Sequence, residues 1–131
     1  YHTDIVQPLV DGAVAECLER GVGEGSISII PIPGAFEVGL AAQHCAQNGY
    51  DAVIALACVI RGDTPHFDYV CSAATDGLNR VQLDSGIPVG FGLLTVNTEQ
   101  QALDRAGLEG SKEDKGAEAV EAAVLMARLK P

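Results

Sequence analysis

The segment AVIALACVIRGDTPHFDYV, residues 52–70, passes from an uninterrupted apolar run through a glycine-containing turn into a helix start. Ala52–Ile60 has the length of a strand and no alternation of apolar and polar residues, which is typical of a parallel strand covered on both faces. Thr64 is a good helix N-cap and Pro65 suits the first helical position, so a helix is predicted to about Asp84. The segment therefore predicts a central parallel strand that leads directly into a helix.

The rest of the chain alternates helices and strands around this segment. The patterns predict helices over about 4–21, 36–48, 98–107 and 115–129, and strands over 28–32 and 89–95. Such alternation is typical of an α/β protein, here a three-layer α/β/α sandwich with a mainly parallel, flavodoxin-like open sheet. Because three strands that begin after a helix make an incomplete sheet, we expect a first strand upstream of residue 1.

Composition limits the classes of protein to which the chain can belong. A length of 131 residues with 47% hydrophobic content predicts a single domain over residues 1–131. A net charge of −10 with only 8 Lys and Arg residues argues against nucleic-acid binding, because phosphate backbones require clustered cations. No apolar run approaches the length of a membrane span, so no membrane association is expected. The four cysteines form no C-x-x-C pair and have mostly apolar neighbours, which predicts reduced core thiols and a cytoplasmic location.

Three segments that follow predicted strands, or end them, are expected to gather at the carboxyl edge of the sheet, where α/β proteins bind ligands. They are 33–37, 61–69 and 91–97. The turn Gly62–His66 offers the unpaired amides of a helix start to an anion, with Asp63 acting through its backbone. His66 can accept a proton near neutral pH and suits a general base. The alternatives are an ordinary capped helix and a surface histidine without a role.

Two cations later in the chain, Arg105 and Lys115, could complement a phosphate at that edge. Each also has an ordinary explanation, since Arg105 suits a helix C-terminus and Lys115 an exposed face. Glu37 could hold ligand hydroxyls or simply stabilise the helix dipole. No glycine fingerprint, metal triad or nucleophile elbow is present in the sequence, so nicotinamide, metal and serine-hydrolase chemistry are not supported, and no metal site is expected.

Four motifs in order resemble lumazine synthases over nearly the whole chain. They are PGAFEV at 33–38, VIRGDTPHFDYV at 59–70, GLLTVNTEQQALDRAG at 92–107 and KGAEA at 115–119, and RGDTPHFDYV is the most specific of them. By this resemblance His66 is the catalytic histidine, and Arg105 assists catalysis and binds phosphate together with Lys115. The resemblance assigns the remaining phosphate contacts to Gly62, Asp63 and Thr64, and the pyrimidinedione and ribityl contacts to Tyr1, Ala35, Phe36, Glu37, Val59 and Ile60, with Phe91 from the neighbouring subunit.

The resemblance implies a cofactor-free condensation of two small molecules in riboflavin biosynthesis. The substrates are 5-amino-6-(D-ribitylamino)uracil and 3,4-dihydroxy-2-butanone 4-phosphate, and the products are 6,7-dimethyl-8-ribityllumazine, phosphate and water. It also implies a homopentamer with active sites between subunits. By the same resemblance, capsid-forming members of the family have a shorter, glycine-containing turn between the last two helices. The connection 108–114 is longer and acidic here, which favours a separate pentamer over a capsid.

Three alternative functions remain open at this point. The chain resembles a non-catalytic flavin or lumazine carrier equally well in fold. It is also similar to an archaeal-type riboflavin synthase, which uses two lumazine molecules and no sugar phosphate, although Arg105 and Lys115 argue against that enzyme. The third alternative is a purely structural shell protein. Formation of a lumazine-coloured product from both substrates separates the synthase from the other candidates.

Overall fold

The computed structural model of the chain describes residues 2–131, so the stacking role predicted for Tyr1 lies outside the described residues. Over this range helices pack on both sides of two parallel strands. The helices are α1 (Thr3–Glu19), α2 (Val38–Gln47), α3 (His66–Ser85), α4 (Glu99–Leu103) and α5 (Lys115–Ala127), with 3₁₀ turns at Glu24–Ser26 and Ala35–Glu37. The strands are β1 (Val53–Ile60) and β2 (Val89–Val96).

The two strands separate two apolar clusters. β1 and β2 pair in parallel from Val53 opposite Val89 to Ile60 opposite Val96. One face packs against α2 and α3, through the buried residues Val38, Ala42, Ala55, Ala57, Ala74, Leu78 and Leu93. The other packs against α1 and α4, through Ile5, Leu9, Leu94, Val96, Ala102 and Ala106. The predicted three-layer α/β arrangement and the covering of β1 on both faces are confirmed.

The strand predicted over 28–32 is wrong, because this segment has no regular structure. A strand needs a neighbour for its backbone groups, and among residues 2–131 β1 pairs only with β2. Pro31 also lacks an N–H group. Ile29 and Ile30 are more than half exposed, whereas Ile32 packs against the cluster beneath α2 and α3. The β-branched composition is real, but the described chain supplies no pairing partner.

α4 is shorter than predicted, since it ends at Leu103 and not near Gly107. Its N-terminus is as predicted: the Thr98 hydroxyl accepts from the Gln101 amide at 3.1 Å. At the other end, Ala106 forms an antiparallel bridge with Asp114, which draws the chain away from the helix axis. Arg105 therefore lies in the turn after α4 and not in its last helical turn.

α5 lies unusually close to α1 at Gly116, where a Cβ atom would overlap with the carbonyl oxygen of Leu9. We expect Gly116→Ala to lower the free energy of unfolding by about 1–3 kcal/mol, because backbone cannot yield as a flexible side chain does. Urea unfolding at fixed protein concentration measures the change. Gly25→Ala is the control, since a Cβ at Gly25 meets nothing within 4 Å. Equal stability of the two variants would show that α1 and α5 can separate without cost.

The remaining structural expectations concern membranes and thiols. Among residues 2–131, no helix has the length and apolar character required to cross a bilayer. All four cysteines are unbonded, as the sequence predicts. The predicted full burial in the core is wrong, because each of them is only partly buried. Burial on β1 raises the pKa of the Cys58 thiol to about 11, so this thiol stays protonated at neutral pH.

Candidate active site

The loop that follows β1 is the first part of the candidate site. The Arg61 amide donates to the Val96 carbonyl at 2.8 Å and extends the strand ladder by one bond. α3 then begins at His66, one residue later than predicted, and the Thr64 hydroxyl accepts from the His66 amide at 3.4 Å. Gly62–Pro65 therefore forms a short loop between the end of β1 and the first turn of α3, as the sequence indicates.

This loop has the properties of an anion site. Among the described residues, the backbone amides of Gly62, Asp63 and Thr64 donate to no protein acceptor. A Cβ atom at Gly62 would meet nothing within 4 Å, so open space adjoins the backbone there. His66 is the first residue of α3, and its side chain is exposed. Unpaired amides at a helix start, with a proton acceptor beside them, can bind a phosphate and act on the group attached to it.

Arg61 fixes this loop, a role that the sequence analysis missed. Its Nε donates to the Asn97 side-chain oxygen at 3.0 Å, and its guanidinium lies 3.4 Å from the Asp68 carboxylate. The same guanidinium lies 4.4 Å from the centroid of the Phe67 ring. These contacts join the ends of both strands to α3. The only signal for this role in the sequence is a single cation directly after an apolar strand. That signal does not identify the partners, which lie far along the chain or on the next helix.

The turn that precedes α2 forms the second wall. Ala35 packs against the apolar cluster and contributes to a 3₁₀ turn that contacts both β1 and α3. Phe36 is 65% exposed beside it, and the Glu37 side chain folds back toward Gly34. We use "β1-end group" for the predicted site residues that adjoin the end of β1, namely Ala35, Phe36, Glu37, Val59, Ile60, Gly62, Asp63, Thr64 and His66.

The other predicted residues lie on β2, at the start of α5 and in the turn after α4. Phe91 pairs with Ala55 near the start of the strand, and the expectation that it lies at the carboxyl edge is wrong. It precedes Val96 by five residues, which places it roughly 16 Å from that edge along the strand. Phe91 and Lys115 line one open cleft of about 390 Å³. The Lys115 amide donates to the Arg105 carbonyl at 3.0 Å, so we call Phe91, Arg105 and Lys115 the "β2-edge group".

A carboxylate that the sequence analysis treated only as loop charge contacts both cations of the β2-edge group. Glu113 Oε2 lies 2.7 Å from Lys115 Nζ, and Glu113 Oε1 lies 3.9 Å from Arg105 Nε. Lys115 Nζ also lies 3.1 Å from Glu118. The hydrogen bond from Lys115, with the charges of both cations, lowers the pKa of Glu113. The hydrogen bonds to Glu113 and Glu118 raise the pKa of Lys115, so both partners are ionised at neutral pH.

The β1-end group and the β2-edge group do not meet within one chain. Over residues 2–131 no hydrogen bond or ion pair joins a member of one group to a member of the other. The same range holds no cluster of three His, Cys, Asp or Glu side chains suited to a metal ion. Each group alone lacks part of the predicted chemistry, because the proton acceptor lies in one and the two cations lie in the other.

Comparison with known proteins gives one consistent result. A family model described as 6,7-dimethyl-8-ribityllumazine synthase matches residues 1–131. Proteins of that name from Streptomyces avermitilis and Paenarthrobacter aurescens are 54% and 56% identical over 127 residues, which is 97% of this chain and 78% and 77% of theirs. Another, from a Nocardioides species, is 55% identical over 128 residues, with 98% of this chain and 78% of the relative covered.

Proposed function

The chain belongs to the 6,7-dimethyl-8-ribityllumazine synthase family, and on that premise we propose how its residues share the reaction. The enzyme condenses 5-amino-6-(D-ribitylamino)uracil with 3,4-dihydroxy-2-butanone 4-phosphate, forming 6,7-dimethyl-8-ribityllumazine, phosphate and water in riboflavin biosynthesis. It acts in the cytoplasm, whose reducing conditions suit four unbonded thiols. Incubation of the protein with both substrates while product absorbance is followed tests the activity directly.

The complete active site forms between two copies of the chain. The observation that carries this proposal is the separation of the β1-end group from the β2-edge group. If the β2 edge of one copy packs beside the β1 end of the next, Phe91, Arg105 and Lys115 reach the site that holds His66. Such a head-to-tail contact generates a closed ring when the rotation that relates neighbouring copies returns to the first copy. The family resemblance supports a ring of five copies, a homopentamer.

The connection 108–114 bears on whether pentamers assemble further. Two of its acidic residues have partners within the chain: Glu113 pairs with cations, and the Asp114 carboxylate caps α5 by accepting from the Ala117 amide at 3.0 Å. Glu109 remains exposed. The repulsion expected from this connection is therefore weaker than its composition suggests. Its length and the net charge of −10 per chain still favour a separate pentamer over a capsid.

The two groups divide the chemistry between them. The pyrimidinedione and its ribityl chain lie against Ala35–Glu37 and the end of β1, while the amides of Gly62–Thr64 bind the phosphate of the second substrate. The substrate amine attacks the ketone and a first water leaves, phosphate is eliminated, and the ribityl-bearing amine closes the ring on the remaining carbonyl with loss of a second water. His66 moves the protons, and the neighbour's copy of the β2-edge group neutralises the departing phosphate. Holding two reactive substrates adjacent supplies much of the acceleration, and no cofactor is required.

Arg105→Ala should raise the KM for the butanone phosphate by about tenfold, with little change in the KM for the pyrimidinedione. A planar guanidinium makes paired contacts to phosphate that a smaller side chain cannot replace. Steady-state kinetics with each substrate varied in turn measures the split. Arg80→Ala is the matched control, because Arg80 contacts only Asp84 on the exposed face of α3. Equal losses for both substrates would remove Arg105 from the phosphate site.

A further inference from the structure

Glu113 occupies the place between two cations that the proposed function assigns to a phosphate. Its two carboxylate oxygens are used separately, one toward Lys115 at 2.7 Å and the other toward Arg105 at 3.9 Å. All three side chains are a little over one-third exposed, so a ligand can reach them from solvent. A carboxylate and a phosphate present the same kind of charged oxygen acceptor to these donors.

The backbone of Glu113 is anchored independently of its side chain. Its amide donates to the Asp104 carbonyl at 3.0 Å, and its carbonyl accepts from the Gly107 amide at 3.0 Å. Arg105 is also held without Glu113, since its NH1 donates to the Gln101 carbonyl at 2.8 Å. The carboxylate can therefore leave the cations while the loop and the guanidinium keep their places. The contacts of the Glu113 carboxylate with Lys115 and Arg105 are therefore not needed to hold the loop in place.

We propose that Glu113 is an internal competitor for the phosphate subsite, which pairs with Arg105 and Lys115 in the unliganded enzyme and is displaced by the phosphorylated substrate. The proposal rests on the function proposed above for these two cations. An anion tethered beside the subsite is present at high effective concentration and lowers the apparent affinity for every phosphate. Glu113 also returns to the cations after the reaction, which favours departure of the phosphate product. It thus sets the apparent affinity of the enzyme for the phosphorylated substrate and for the phosphate product.

The test removes the charge and keeps the shape of the side chain. Partly exposed ion pairs are weak, so Glu113→Gln should tighten the binding of inorganic phosphate by about 3-fold to 10-fold. Calorimetric titration of the assembled enzyme with inorganic phosphate measures this affinity. The KM for the butanone phosphate should fall by a similar factor, while the KM for the pyrimidinedione should stay unchanged. Glu109→Gln removes the same charge from the same connection but contacts neither cation, and should change nothing.

The outcomes separate this proposal from the proposed function. If Arg105→Ala weakens phosphate binding and Glu113→Gln leaves it equal to that of the parent, the competitor role is wrong and the phosphate site stands. Weaker phosphate binding in Glu113→Gln would show that the carboxylate organises the cations and does not compete. Equal tightening in Glu113→Gln and Glu109→Gln would reduce the effect to net charge and also overturn the proposal. If Arg105→Ala leaves phosphate binding intact, both proposals fall.

Discussion

His66→Ala is expected to slow product formation by roughly 10-fold to 10³-fold at saturating substrates, because the enzyme loses its proton carrier. The loss stays below the top of that range, since both substrates are still held side by side. Single-wavelength assays of product absorbance give the rate. His44→Ala is the matched control, because His44 is exposed on α2 and makes only a backbone contact, with Asn48. Parental turnover by the His66 variant would show that the protons move by another route.

Combining the two defective variants is expected to restore activity. When His66→Ala and Arg105→Ala chains are co-expressed in equal amounts, about one quarter of the interfaces pair an intact β1-end group with an intact β2-edge group. With the butanone phosphate held well below its parental KM, activity should therefore rise to at least one quarter of the parental value, whereas each variant alone should give about one tenth of it or less. Co-purification through different affinity tags isolates the mixed rings, and the absorbance assay measures their turnover.

The same mixture has a clear negative outcome. If one chain contributes every residue of its own site, all sites in the mixture carry one of the two substitutions. Activity would then equal the average of the two separate variants, weighted by their proportions, at any mixing ratio. A chain that carries both substitutions, co-expressed with the parental chain, is the reference for how freely subunits mix.

Local signals in the sequence were sufficient for β1, α3 and the loop between them. An apolar run as long as Ala52–Ile60 requires cover on both faces in any position in the sheet. The helix after it also begins close to the predicted residue, although its N-cap is Pro65 and not Thr64, whose hydroxyl only accepts from the His66 amide at 3.4 Å. The anion-binding character of the loop follows from the same local geometry. These features depend on residues only a few positions apart, so the sequence carries them without knowledge of the fold.

Features that depend on distant partners were not accessible in the same way. The segment 28–32 has strand composition, yet its state depends on whether another strand lies beside it. Arg61 joins Asn97, and Glu113 joins Arg105, through side-chain contacts that exist only once the fold is formed. The division of the site into two groups was likewise hidden, because it depends on how distant segments are placed in the fold. The position of Phe91 was not hidden, since the predicted strand 89–95 already puts this residue in its first half.

The packing of α1 against α5 also governs how the chain acquires its structure during synthesis. Ile5 and Leu9 are fully buried, but their cluster partners Leu94, Val96, Ala102 and Ala106 are all made far later. At ribosomal speeds, the interval between Leu9 and Gly116 lasts roughly 5–20 s. Until β2 and α4 have been made, the apolar side of α1 lacks these partners and is a ready target for chaperones, and α5 is made later still. The docking of α5 on α1 therefore comes last, and a chain that ends before Gly116 leaves the side of α1 that faces α5 exposed.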